Sequence, residues 1–390
     1  VKKNNLERKA PMIIDEIVSI NVLPIQENQV TDLYPLDFSK LNSINTCPMY
    51  GITRHILNKN FQTTERSMAL ECGDLCHKCF AVYRALSIWF RGLEENKPTL
   101  QSIGTREIAK VFREVCEDAD DEMISNFITE CFKLSEEKAT KLAKYTIFSD
   151  FVIDNSGYYE DPNDKKRTIA NIKDSLIHYC SNFLDVVEDE PVWIENEEDL
   201  CSKVGIEIPF DTIVELTYIQ NGEEHTQPIH FIGKIDGIHY RKNDNNSLIV
   251  HENKTASRLD DSWLGQWYKS HQITGYCLIA SYFTNEECLQ ARVLGVQIPA
   301  PKTSGYAFRM ERVDREHFYF SDWARWVLHT YNVAEMYKNI PEKAPMNTHA
   351  CCKYYKQCAF IPICCSNEEE RKRIIEEDMI IDEWNPLEGD

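Results

Sequence analysis

The sequence predicts an α/β protein with a mixed sheet, and three observations carry that prediction. Apolar residues at helical spacing fill the first half, β-rich segments cluster after Val186, and helix and strand patterns alternate again toward the C-terminal end. The 390 residues suffice for one elaborated domain or two smaller ones. Hydrophobic residues make up 43% of the chain, with 17 Phe, 18 Tyr and 7 Trp, which sets it apart from disordered sequences.

Residues 1–40 read as an irregular lead-in with short apolar pieces. FSKLNSINTCPMYGITRHILNK offers polar caps before a short helix and places Cys47 near its start. From Glu65 to Arg91, the residues Met68, Leu75, Phe80, Val82, Leu86, Trp89 and Phe90 predict a long helix. Gly73 inside it costs about 1 kcal/mol against alanine, which points to a close approach by another element. Pro98 closes this section, and residues 101–149 and 168–186 read as further helices around the loop NSGYYEDPNDKK. The strands follow in VVEDEPVWI, VGIEIPFDTIVELTYI, IHFIGKIDGIHY and SLIVHENKTA, broken by the turns NGEE and KNDNNS. LGQWYKSHQITGYCLIASYF returns to helical spacing, ECLQARVLGVQI reads as a strand, and HFYFSDWARWVLHTYNVAEMYKNI as a helix.

Asp and Glu outnumber Lys and Arg by 63 to 43, a formal charge of -20. Such a surface repels polyanions at long range and argues against a nonspecific nucleic-acid coat protein. Local carboxylates can still hold cations that invert the charge a phosphate meets. The opening VKKNNLERKAPMIIDEI lacks a signal-type apolar run, and no stretch of about 18 apolar residues follows. The expectation is an intracellular, cytoplasmic protein without a membrane partner, its 15 cysteines reduced or metal-bound.

Asp236 in GKIDGIHY stands at the end of a strand pattern, where a turn at Gly237 would expose its carboxylate. Glu252 and Lys254 in LIVHENKTA are two apart on the next strand, so they share a face while Asn253 points away. Ile232, Ile235, Leu248 and Val250 supply the apolar anchors for both strands. Two carboxylates can hold Mg2+ or Mn2+, and an ammonium beside them can orient an attacking water, the combination phosphodiester hydrolysis needs. The same three residues also fit ordinary salt-bridged positions at a sheet edge. His77 alone reads as a common helix histidine, and Cys72, Cys76 and Cys79 around it read as a helical core stripe rather than a zinc site. Gln272 and Tyr276 fall on one helix face. Glu190 and Glu207 are two candidates for an accessory acidic residue, Glu207 in EIPF having the better strand context.

Over roughly residues 40–365 the sequence resembles the PD-(D/E)XK nucleases of the RecB-like branch, especially iron-sulfur members such as AddB-type nuclease domains, CRISPR-associated exonucleases and phage relatives. Gly73 and His77 match its GxxxH motif, Asp236 its metal-binding aspartate, Glu252 and Lys254 its ExK, and Gln272 and Tyr276 its QxxxY. The resemblance implies a restriction-endonuclease-like core, a central mixed sheet flanked by helices, with a helical insertion at about 92–170. It divides the chain into a lead-in at 1–40, an iron-sulfur nuclease domain at 41–365 and an acidic segment at 366–390. His77, Asp236 and Glu252 would hold the catalytic metal, with Lys254, Gln272 and Tyr276 completing the catalytic set.

CCKYYKQCAFIPICC gathers cysteines at 351, 352, 358, 364 and 365, and thiolates in this density select zinc or iron-sulfur chemistry. The resemblance implies a [4Fe-4S] cluster on Cys47, Cys351, Cys358 and Cys364, with Cys352 as the alternative to Cys351. It further implies a DNA exonuclease acting on single- or double-stranded DNA with accessible ends, in recombination, replication or processing, in a host cytoplasm if phage-encoded. No P-loop of the GxxxxGK[ST] form is present, so any ATP-driven unwinding would fall to a helicase or recombination partner. Arg54, Lys59 and Lys269 are candidates for a phosphate-facing groove. The alternative is a DNA-binding accessory module that keeps a cysteine-bound metal cluster and has no nuclease activity.

Overall fold

The computed structural model describes residues 14–25, 33–61, 67–116, 120–137, 141–186, 189–191, 193–194, 203–241, 247–302, 305–351, 357–383 and 387. The strands are β1 (Glu16–Pro24), β2 (Lys59–Asn60), β3 (Asp189–Pro191), β4 (Trp193–Ile194), β5 (Lys203–Val204), β6 (Ile206–Gln220), β7 (Glu223–Arg241), β8 (Ser247–Ala256), β9 (Gln290–Gln297), β10 (Phe308–Asp314) and β11 (Ile380–Ile381). The helices are α1 (Phe38–Thr46), α2 (Pro48–Gly51), α3 (Met68–Glu94), α4 (Pro98–Val115), α5 (Asp121–Glu137), α6 (Lys141–Asn155), α7 (Ile169–Val186), α8 (Asp261–Gly265), α9 (His271–Thr284), α10 (His317–Tyr337), α11 (Ile361–Cys364) and α12 (Glu368–Arg373).

This is an α/β architecture with a mixed sheet in the order β1-β6-β7-β8-β9-β10, to which β3 adds on β7. The β8–β9 pair is parallel and the β1–β6, β7–β8 and β9–β10 pairs are antiparallel. The parallel pair requires a crossover, and α8 and α9 supply it. Asn221 and Gly222 join β6 to β7 with φ of 53° and 80°, the two positive values that a tight type I′ hairpin demands.

The chain forms two compact units that interleave along the sequence. The first comprises 1–64, 209–234 and 316–390, and the second 65–208 and 235–315. In the first, Phe231 is the hub of an aromatic core, its ring centroid 5.0 Å from Phe38, 5.3 Å from Phe210 and 5.9 Å from Trp323. In the second, strand alternation separates two faces. Asn253 and its register partner Leu294 face α3 and α7, whereas Glu252 and its partner Val293 face α8 and α9. The larger core lies on the α3–α7 side and contains Cys72, Cys76 and Cys79, consistent with their reading as an apolar stripe. Ile232, Ile235, Leu248 and Val250 are buried as the strand anchors should be.

Several local expectations change. Residues 16–24 form a strand rather than an irregular lead-in; a bulge between Ile17 and Ser19 interrupts the alternation that would have marked it. The strand β10 also escaped the pattern, because Val313 is the one residue in FRMERVD that is buried and charges occupy four of the other six positions of this edge strand. Pro98 opens α4 at its first position, where its missing N–H costs nothing, instead of closing the helical section. An added Cβ at Gly73 would meet Thr255 Oγ1 at 3.7 Å, an ordinary contact, so no close approach depends on this glycine. The C-terminal acidic segment contributes α12 and β11, and β11 pairs with β2. The KNDNN part of the last predicted turn, 242–246, lies outside the described residues. Among the described residues, no helix is long and apolar enough to cross a membrane.

Candidate functional site

The β7–β8 ladder runs from Arg241 opposite Ser247 to Gly237 opposite His251, and Asp236 and Glu252 are the next residues on each strand. Asp236 therefore lies inside β7, not at a strand end beside a turn. The role of Gly237 is also different from a turn. A Cβ there would lie 2.7 Å from His239 Nε2 and 3.1 Å from the guanidinium carbon of Arg84, so glycine is what lets Arg84 approach the strand. Arg84 is fully buried, donating to the Asp236 backbone oxygen at 2.5 Å and to Asn253 Oδ1 at 3.3 Å. Tyr179 donates to the same Asn253 oxygen at 2.8 Å, and the Asn253 N–H donates to Asp236 Oδ2 at 2.6 Å. The asparagine that points away from the site thus fixes the aspartate that belongs to it.

Helix α3 brings His77 to Asp236, with Nδ1 3.4 Å from Asp236 Oδ1 and 3.9 Å from Glu207 Oε1. One ligand atom from each of His77, Glu207 and Asp236 lies within 4.8 Å of the others. Glu207 is near the start of β6, and the neighbouring Gly205 oxygen accepts from the Ile238 N–H on β7, which brings this end of β6 beside Asp236. Glu207 has φ of 46°, a left-handed conformation that costs a residue with a side chain about 1–2 kcal/mol. Of the two accessory candidates, Glu207 joins the site. Glu190 lies opposite Tyr240 in the β3–β7 pair, and its side chain is outside the described residues.

Glu252 is not one of the three clustered ligands. Its Oε1 takes the Lys254 ammonium at 2.5 Å and the Gln272 amide at 3.0 Å, and the same amide nitrogen lies 3.1 Å from the Tyr276 hydroxyl. The other oxygen, Oε2, is buried with no hydrogen-bond partner among the described residues. A buried carboxylate oxygen in that state invites a cation, and hard oxygen donors with one imidazole suit Mg2+ or Mn2+.

The charges are strongly coupled. Burial disfavours an ionised Asp236, yet His77, Lys254 and Arg84 hold its carboxyl below the usual range. Burial also works against a charged His77, but Asp236 and Glu207 raise its pKa to about 10. Burial first, and then the charge of Asp236, push Glu252 up to about 7. Lys254 stays charged because Glu252 and Asp236 outweigh its burial. In the absence of a metal, a proton on His77 therefore balances the carboxylates.

A second cluster lies in the first unit. Cys47 sits at the junction of α1 and α2, and its sulfur accepts from the Asn347 N–H at 3.4 Å. The Cys351 thiol donates to the Asn347 oxygen at 3.5 Å, and the Cys358 N–H donates to the Cys351 oxygen at 2.8 Å. Burial and the neighbouring Cys47, Cys351 and Cys358 push the Cys364 thiol up to about 11. The described cysteines form no disulfide. Cys352 lies outside the described residues.

No protein-family model matches the chain, and no curated protein matches it either.

Sequence reasoning missed Arg84. It follows His77 by seven residues, two helical turns on the same face, and that spacing was the available signal. Of the proposed groove cations, Arg54 is held by Asp382 at 3.0 Å, Lys59 lies in β2, and Lys269 is exposed.

Proposed function

We propose that this chain is a divalent-metal-dependent deoxyribonuclease with a restriction-endonuclease-like core, acting as an exonuclease on DNA with accessible ends. The observation that carries the reading is the convergence of His77, Glu207, Asp236, Glu252, Lys254 and Gln272 within one compact unit. His77, Glu207 and Asp236 would hold the cation, and Glu252 Oε2 offers a further oxygen. A bound divalent cation supplies Lewis acidity toward the phosphoryl group and acidity to an attacking water. Lys254 keeps an ammonium where charge builds on the phosphoryl oxygens, while Gln272 and Lys254 hold the Glu252 carboxylate in place.

The cysteine cluster supports a resident metal group on Cys47, Cys351, Cys358 and Cys364, and we propose a [4Fe-4S] cluster. A tetrahedral zinc with Zn–S bonds near 2.3 Å would hold its thiolates about 3.8 Å apart. Cys47, Cys351, Cys358 and Cys364 offer four thiolates, the number that either a tetrahedral zinc or a [4Fe-4S] cluster takes, and iron and labile sulfide content distinguish the two.

The test is cleavage of end-labelled single- and double-stranded DNA under Mg2+ and under Mn2+, on anaerobically purified protein with its metal content measured. Metal-dependent release of mononucleotides or short products, lost in Glu252→Ala, is expected. Intact DNA under both metals, or undiminished cleavage by that variant, would leave a noncatalytic DNA-binding module as the better reading.

A further inference from the structure

Arg315 lies between β10 and α10 and is 3% exposed. A guanidinium has five N–H donors, and here each is taken. Nε donates to Thr274 Oγ1 at 2.8 Å, Nη1 to the Tyr268 and Asp314 oxygens at 3.1 Å each, and Nη2 to the Trp267 and Ser270 oxygens at 3.2 and 3.1 Å. Three of the five acceptors are carbonyls of the turn joining α8 to α9, a fourth is a side chain in the first turn of α9, and the fifth is the carbonyl of the preceding residue, Asp314. Ser270 caps that helix through its hydroxyl, which accepts from the Ile273 N–H at 3.4 Å. Its carbonyl accepts from the Thr274 hydroxyl at 3.2 Å. The cap, the turn and the first helical turn are thus bound to one buried cation.

Gln272 sits between the cap and Thr274. Its amide reaches Glu252 Oε1, and its direction is set by where α9 begins. We propose that Arg315 is a positioning residue for the candidate active site, acting through Gln272 to fix the Glu252 carboxylate. A lysine could not replace it, because one ammonium offers three donors from a single point whereas the turn presents acceptors to a planar fork. The inference rests on the metal-site reading for its functional consequence and on the hydrogen bonds alone for its structural part.

The experiment has two arms. In the first, Mn2+ affinity is measured by calorimetry at fixed pH for the full chain, Gln272→Ala, Arg315→Gln and the double variant. Removing an outer partner of a metal carboxylate lowers affinity about 10-fold or more, so each single variant should lose about that factor. The double variant should lose no more than Gln272→Ala alone, since Arg315 works through that residue. Multiplied losses in the double variant, or full affinity in Arg315→Gln, overturn the proposal. The second arm is amide hydrogen exchange over residues 267–276. Faster exchange there in Arg315→Gln is expected, with Thr274→Val as a milder variant that removes one acceptor should the arginine substitution unfold the chain. If the parent binds no Mn2+, the metal-site reading falls, and unchanged exchange over 267–276 then overturns the positioning role separately.

Discussion

The guanidinium of Arg84 donates to the backbone oxygen of Asp236 at 2.5 Å, so the residue that orients the central aspartate grips its main chain rather than its carboxylate. Both Asp236 side-chain oxygens are thereby left to other partners, Oδ1 to His77 and Oδ2 to the Asn253 N–H. The arrangement depends on Gly237. Gly237→Ala would place a methyl 3.1 Å from the Arg84 guanidinium carbon and 2.7 Å from His239 Nε2, and the strand, the arginine or the histidine must move. The expected cost is about 1–3 kcal/mol, the range for overpacking a filled interior. Denaturant unfolding of the metal-free protein measures it, and an unchanged midpoint would show that Arg84 has room to withdraw.

Metal binding should strengthen as pH rises. The folded His77 pKa of about 10 lies above its ordinary 6.5, so the stability its proton contributes is present below 6.5 and is lost as pH climbs through 10. Glu252 is raised from 4.5 to about 7, so the folded state also holds that proton longer than the unfolded chain, and stability falls between those values. A cation on these groups displaces both protons. The rise in melting temperature produced by Mn2+ should therefore grow from about pH 6 to about pH 9, with proton release visible in calorimetry across buffers of different ionisation enthalpy. A pH-independent rise would mean that the cation binds elsewhere.

Lys254→Met should separate chemistry from metal binding. The ammonium meets Glu252 Oε1 at 2.5 Å, but Oε2 and the His77, Glu207 and Asp236 set remain when it is removed. Losing one preorganised charge at a developing anion costs about 100-fold or more in rate. Single-turnover cleavage should drop by that factor while Mn2+ affinity changes by less than about 10-fold. Equal losses in both would make Lys254 a support for the metal site alone.

How far the sequence revealed this arrangement can be judged residue by residue. Glu252 and Lys254 were legible because strand periodicity alone puts them on one face, and they meet there. Asp236 was legible as a residue type but not in its placement, since β7 continues through Gly237 to Arg241 and nothing in the apolar pattern shows where its ladder to β8 stops. Glu207 could not be separated firmly from Glu190, because what distinguishes it is a positive φ and the reach of β6 toward Asp236, both products of tertiary packing. Arg84 and Arg315 went unmarked in the sequence, because their burial depends on oxygen acceptors from distant segments gathered around each guanidinium. The nearness of Cys47 to the C-terminal cysteines likewise follows from interleaved chain segments, which no local pattern records.

Cys358→Ala should cost folding before chemistry. Cys358 connects to Cys351 through the main chain and faces Cys364 within one unit, so a metal group there would tie segments far apart in sequence. Free energy of metal binding in such sites is largely free energy of folding. Iron and labile sulfide should fall to background and soluble yield should drop sharply beside the parent. Unchanged iron content with an unchanged fold would remove this cysteine from any cluster.

Glu207→Gly should leave the metal-free protein more stable than Glu207→Gln and the metal site weaker. At φ of 46° a glutamate or glutamine carries strain that glycine does not, and both variants equally lose the pairing of the carboxylate with a protonated His77. Relief of the backbone alone is worth about 1 kcal/mol, offset in part by the greater freedom glycine has in the unfolded chain. Glu207→Gln is the control, since it removes the charge and keeps the strained backbone. Mn2+ affinity should fall about 10-fold or more in both variants, while unfolding midpoints of the metal-free proteins should place the glycine variant above the glutamine one. Such a result means that a ligand is retained at the expense of stability, which is the signature of a residue kept for function. If the glycine variant is the less stable of the two, the left-handed backbone at Glu207 carries no cost, and its role in the site rests on the Mn2+ affinities.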